Sequence, residues 1–117
     1  MTDNLEIETS RNENYTILSL IGEVDLYSSP EFRKQLINLT KSKIPTIVID
    51  LSDVSYMDSS GVATLVEGLQ LIENYKGNFY ICGLAPMVRE VFELSRLDTV
   101  FSIHNSLEKL KEKRLIP

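Results

Sequence analysis

Asp58-Ser59-Ser60-Gly61 places a carboxylate, two hydroxyls and a residue without a side chain where an apolar run gives way to a helical pattern. Two chemistries suit that spacing. Asp and Ser are favoured helix caps, because their oxygens accept hydrogen bonds from backbone N–H groups that have no partner in the first turn. A hydroxyl at the same point also lies where free N–H groups and the positive end of the helix dipole favour an anion. A phosphate added there would bring about −1.5 to −2 units of charge, which a docked protein surface would have to desolvate. The tetrapeptide alone leaves both readings open.

Other chemistry finds less support. There is no G-x-G-x-x-G, no G-x-x-x-x-G-K-[ST] and no G-x-S-x-G. The single histidine, His104, would have to cross the fold to join Ser59 or Ser60 in a nucleophilic arrangement. No His/Cys/Asp/Glu set has metal-ligand spacing, so no cofactor is expected. Asp25, Asp50, Asp53 and Asp58 fall at or near strand ends, as in an aspartate-phosphorylated receiver domain. That reading needs an acidic pair after the first strand and a lysine after the last; this chain has "TSRNEN" and "HNS" there.

The elements that must hold the tetrapeptide follow from periodicity. "NLEIE" and "YTILSLIGEV" read as neighbouring strands. In "SSPEFRKQLINLT", Ser28 or Ser29 caps a helix, Pro30 fits its first turn, and Phe32, Leu36 and Leu39 share a face. "PTIVIDLSDV" has the near-continuous apolar run of a strand covered on both sides. Val62, Leu65, Val66, Leu69 and Ile72 recur at helical spacing, with Gly77 as the stop. "NFYICG" is a strand, "APMVREVFELSRL" a helix facing inward through Val88, Val91 and Phe92, and "TVFSI" a short strand. A last helix spans Asn105 to Arg114, with Asn105 and Glu108 as its capping box. The order ββαβαβαβα predicts an α/β fold with a mixed, mostly parallel sheet and about four helices, in one domain over residues 1–117. "SYMDSSG" is then a loop at a strand's carboxyl end, where functional groups collect in such folds. "GEVDLYSS", with Glu23 and Asp25, leaves a strand of the same sheet and is expected beside it.

Composition is ordinary for a folded chain of 117 residues, with 43% hydrophobic and 25% charged residues. One cysteine, Cys82, allows neither an intrachain disulfide nor a CxxC site, and is expected to be a buried thiol. The formal charge is −5, and residues 108–117 carry a local +2. An acidic body argues against direct nucleic-acid binding. The basic end suits a helix C-terminus better than a membrane contact. No signal pattern or apolar run of spanning length occurs, so a cytoplasmic protein is expected.

"GEVD" (Gly22 to Asp25), a Ser/Pro-led helix, and "IVIDLSDVSYMDSSG" (Ile47 to Gly61) together resemble the anti-sigma factor antagonists of the STAS fold. "ICGL" before a Pro-started helix is similar too, while Val62-Ala63 stands where relatives often have Leu-Gly. The resemblance implies a bacterial partner switch that is not itself an enzyme. Its unmodified form would bind an anti-sigma factor that is also a serine kinase using ATP and Mg²⁺, which frees a sigma factor for transcription. Phosphorylation at Ser59 would release it, and a metal-dependent serine phosphatase would restore it. By the same mapping Asp25 and Glu23 belong to the binding surface, Asp58 precedes the acceptor, and Ser60 and Gly61 begin the helix that presents it. Tyr56 and Met57 read either as core or, if exposed, as partner anchors. The alternative is a STAS scaffold or transport-associated subunit, in which Ser59 is only a cap.

Overall fold

The two most apolar segments of the sequence lie side by side. In the computed structural model, which describes residues 4–117, β2 (Tyr15–Val24) and β3 (Thr46–Met57) run parallel at the centre of a five-stranded sheet. β1 (Leu5–Arg11) pairs antiparallel with β2. β4 (Asn78–Cys82) and β5 (Ser102–His104) extend the sheet in parallel beyond β3. The spatial order follows the chain, β1-β2-β3-β4-β5, with α1 (Ser29–Lys41), α2 (Ser59–Asn74) and α3 (Pro86–Leu94) as the crossovers. The expected mixed α/β architecture with four helices is therefore the observed one.

Right-handed crossovers between strands added always on the same side place every crossover helix on the same face. The packing bears this out. Phe32, Leu36 and Leu39 of α1, Leu65 and Ile72 of α2, and Val88 and Phe92 of α3 form one core with Leu18, Leu20, Ile47, Ile49 and Leu51 of the sheet. Among the described residues, the opposite face is covered only by α4 (Leu107–Glu112) and the C-terminal residues, whose Leu110 and Ile116 pack on Ile17, Val48 and Cys82. Val48 thus meets α4 while Ile47 and Ile49 meet the crossover helices, as the continuous run of β3 requires. Cys82 is buried, and burial, with Asp50 nearby, pushes its thiol up to about 12.

Several boundaries differ from expectation. β3 continues to Met57, so Ser55, Tyr56 and Met57 are strand rather than loop. The segment Leu97–Thr99 is a 3₁₀ turn that leaves Val100 exposed, and β5 begins only at Ser102. The last helix is capped by Ser106, whose Oγ accepts from the Lys109 N–H (3.2 Å), and not by Asn105. After α2 the left-handed residue is Lys76 (φ 62°), while Gly77 serves close approach: a Cβ there would meet Ile72 at 2.6 Å and the Pro45 carbonyl oxygen at 3.0 Å. Ser28 precedes α1 but makes no cap bond to it, for a reason given below.

Gly22 shapes the end of β2. Its φ is +118°, and a Cβ would lie 2.0 Å from the Asn4 carbonyl oxygen, which accepts from the Glu23 N–H. Gly22→Ala combines a disfavoured backbone conformation with a backbone clash, each of order 1–3 kcal/mol. The variant should unfold at lower urea concentration than the wild type; an unchanged midpoint would show that β1 and β2 separate there at no cost.

Candidate functional site

β2 and β3 end in register, with Val24 opposite Met57, and the Asp58 N–H donates to the Val24 carbonyl (3.1 Å). The two segments singled out in the sequence, Gly22–Ser28 and Asp58–Gly61, are therefore neighbours at the carboxyl edge of the sheet.

Asp58 is the N-cap of α2, in extended backbone conformation. Its Oδ1 accepts from the Ser60 N–H (2.9 Å) and from the Ser60 hydroxyl. The Ser60 hydroxyl holds the carboxyl below its ordinary pKa, against partial burial, and the backbone N–H groups of Ser60, Gly61 and Leu26 add to the effect. Leu26 belongs to the β2–α1 loop, so one carboxylate faces both segments. Ser59 is exposed, and among the described residues its hydroxyl has no hydrogen-bond partner. The two serines, alike in sequence, are thus unlike in chemistry: Ser60 Oγ is committed to Asp58, and Ser59 Oγ meets water.

The neighbouring loop is held by its own reciprocal bonds. Asp25 Oδ1 accepts from the N–H groups of Tyr27 and Ser28, each at 2.9 Å. Ser28 Oγ accepts from the Asp25 N–H (2.9 Å) and donates to the Glu23 carbonyl (2.8 Å). Its oxygen is occupied inside the loop, which is why it does not cap α1. The loop lifts Leu26 and Tyr27 into solvent, where they are 67% and 75% exposed. Neither was singled out from the sequence. The signal was there in "VDLYSS", where a large apolar and an aromatic residue sit among turn formers instead of in a periodic segment.

The remaining candidates divide. Glu23 and Tyr56 pair across β2 and β3, Glu23 half-buried and Tyr56 44% exposed. Met57 is only 2% exposed and cannot be a partner anchor; it packs beneath the start of α2. Gly61 is buried as well, and a Cβ on it would lie 2.7 Å from Val24 and 2.8 Å from Met57. Gly61 therefore lets α2 approach the strand ends, and contact with a partner falls to the residues around it. His104 lies on the edge strand β5, with its ring nitrogens near Ser102 Oγ (2.8 Å) and Lys113 Nζ (3.3 Å). Beside Ser59 runs a groove of about 380 Å³ lined by Val62 of α2 and by Val91, Leu94 and Ser95 at the end of α3. Leu94, at its rim, is 79% exposed. Among the described residues no group of three or more His, Cys, Asp or Glu could hold a metal ion, and no helix is long and apolar enough to cross a membrane.

The Asp58 cap has a pH signature. A carboxylate whose folded pKa lies below its unfolded value of ~3.9 stabilises fully above that value and loses its effect as pH falls through the folded one. Asp58→Ala should cost about 1 kcal/mol at neutral pH. The gap to wild type should close as the pH is lowered below ~4. Urea titrations at a series of pH values check this; a constant gap would exclude the charged cap.

A scan of family descriptions matches residues 6–110 to the STAS domain. The anti-sigma-B factor antagonist of Staphylococcus epidermidis is 28% identical over 105 residues, covering 90% of this chain and 97% of that protein. An anti-sigma factor antagonist from Mycobacterium paratuberculosis has a similar structure, with TM-score 0.85 at 22% identity over 93% of this chain and 92% of that one. The Bacillus cell fate determinant SpoIIAA in its phosphorylated form is also similar, with TM-score 0.74 at 22% identity over 96% of this chain and 99% of that one. With the family match running from β1 into α4, and the fold shared along nearly all of its length, this chain belongs to the STAS domain family.

Proposed function

We propose that this protein is an anti-sigma factor antagonist, switched by phosphorylation of Ser59. Unphosphorylated, it binds an anti-sigma factor that carries serine kinase activity and so frees a sigma factor for transcription. The partner brings ATP and Mg²⁺. A metal-dependent serine phosphatase reverses the modification, and the setting is the bacterial cytoplasm. The protein is a binding module and a substrate, with no catalysis of its own.

The observation that carries this reading is the division of labour between the two serines. In the transfer, Ser59 Oγ forms a bond to the γ-phosphorus of ATP, the bond to the ADP oxygen breaks, and the hydroxyl proton passes to a base of the kinase. Ser59 offers an exposed oxygen for that attack, whereas Ser60 Oγ would first have to leave Asp58. The names of the Staphylococcus relatives and the phosphorylated state of the Bacillus neighbour point the same way.

Release follows from charge. Asp58 already accepts from the Ser60 N–H, so a phosphate on Ser59 would share the first turn of α2 with a carboxylate instead of finding its amides free. The modified serine would remain in water, at little cost to the fold. A partner seated over Leu26, Tyr27 and the α2–α3 groove would instead have to bury that charge beside Asp58, Glu23 and Asp25. Burial of an unmatched charge costs several kcal/mol, more than the ~0.3–1 kcal/mol the helix dipole returns.

The test compares wild type, Ser59→Ala and Ser59→Asp for binding to the cognate anti-sigma factor by titration calorimetry. Ser59→Ala should bind as wild type does. Ser59→Asp should bind at least ~10-fold more weakly, a loss of ~1.4 kcal/mol, with its thermal midpoint within ~2 °C of wild type. Equal affinity of Ser59→Asp and wild type would contradict the switch.

A further inference from the structure

The crossover helices all lie on one face, so among the described residues the other face of the sheet has a single cover, and that cover is partial. α4 and the C-terminal residues sit over Ile17, Val48 and Cys82. Paired residues of adjacent strands project from the same side, so the register extends this face across β1, β2 and β3: Glu8 opposite Ser19, Ser19 opposite Asp50, and Asp50 opposite Cys82. One step further towards the carboxyl edge come Glu6, Ile21 and Asp53. Leu5 and Ile7, which alternate with the glutamates, turn the other way into the main core.

The uncovered half of this face is thus a ledge bearing Glu6, Glu8 and Asp53, with Asp50 at its border beside the start of α4. None of the four has an ion pair among the described residues, and no strand residue of this face is a lysine or arginine. The covered half is the opposite in shape, and its charge is basic in balance: Glu108 and Glu112 lie on α4 among Lys109, Lys111, Lys113 and Arg114, a net +2. α4 stands on the sheet as a ridge roughly 10 Å thick, and Lys111, Lys113 and Arg114 on and just after it are exposed. Only Lys109 of the basic group has an acidic partner, Glu112 at 3.6 Å.

A raised ridge of net positive charge beside an acidic ledge is complementary to its own copy turned through a two-fold rotation. We propose that two copies of this chain pair through this face, each seating α4 and its basic end on the acidic ledge of the other. The contact is isologous and closes at a dimer. Ile21 and the ridge offer little apolar area, so the pairing is electrostatic and sensitive to salt. It is independent of what Ser59 does, because α2 and the Ser59 groove belong to the other side of the sheet.

The test is sedimentation of the full chain with two charge-reversed variants, Glu6→Lys/Glu8→Lys/Asp53→Lys and Lys111→Glu/Lys113→Glu. All five positions are exposed, and circular dichroism checks that each variant is folded. Wild type should dimerise at low salt, with a dissociation constant rising at least ~10-fold between ~0.02 and ~0.5 M salt. Each variant alone should be monomeric, since one has a basic ledge facing a basic ridge and the other an acidic ledge facing an acidic ridge. An equimolar mixture should restore the dimer, because both contacts then join opposite charges. A wild type that stays monomeric at low salt would overturn the proposal and leave the ledge to a basic partner of another kind. Dimers that persist in either variant alone, or a mixture that fails to associate, would overturn it equally.

Discussion

The carboxylate of Asp58 is the contact on which the site depends. It stands where β3 ends and α2 begins, and it accepts from the backbone and the hydroxyl of Ser60. Its backbone N–H meanwhile ties it to Val24 at the end of β2. One residue therefore fixes the start of a helix, the meeting of two strand ends, and the rotamer of one of two adjacent serines. What it leaves untouched is Ser59. A cap and a modification site are not competing accounts of this tetrapeptide: Asp58 does the capping, and by doing so with Ser60 it leaves the other hydroxyl available.

The topology explains why such a site can change charge without disturbing the core. Strands laid down in sequence order, with every crossover helix on one face, concentrate the large apolar core between that face and α1–α3. The functional loops gather at the carboxyl edge, above this core. Gly61 lets α2 sit close against Val24 and Met57, so the first turn is fixed from below while its upper side faces solvent. Charge added at Ser59 meets water on the free protein and meets a low-dielectric surface only when something docks. On the proposed function, modification would therefore be felt by the partner more than by the fold.

Much of this was legible in the sequence because it rests on periodicity. Phe32, Leu36 and Leu39 recur at helical spacing and are buried together, and the run Ile47–Ile49 marks a strand with cover on both sides. The errors lie where two residues of similar chemistry compete for one role. Asn105 and Ser106 are both good caps, and Ser106 Oγ is the one that reaches the Lys109 N–H. Lys76 and Gly77 can both end a helix, and the crowding of Gly77 against Ile72 and Pro45 assigns the glycine to space instead of to φ. Met57 reads as an anchor only if β3 stops early; in a strand that continues to the cap, the bulge at Ser55 keeps both Val54 and Met57 inward. The unlike states of Ser59 and Ser60, and the reciprocal bonds by which Asp25 and Ser28 lift Leu26 and Tyr27, depend on side-chain hydrogen bonds that spacing alone does not reveal.

The central claim is that the bond to Asp58 makes two neighbouring hydroxyls chemically different. Fragment-ion mass spectrometry of the wild-type chain after incubation with the anti-sigma kinase that the proposed function assigns to it, ATP and Mg²⁺ reads that difference directly. A single phosphate located on Ser59, with Ser60 bare, is the predicted result. Phosphate on Ser60, or none on either serine, would contradict it.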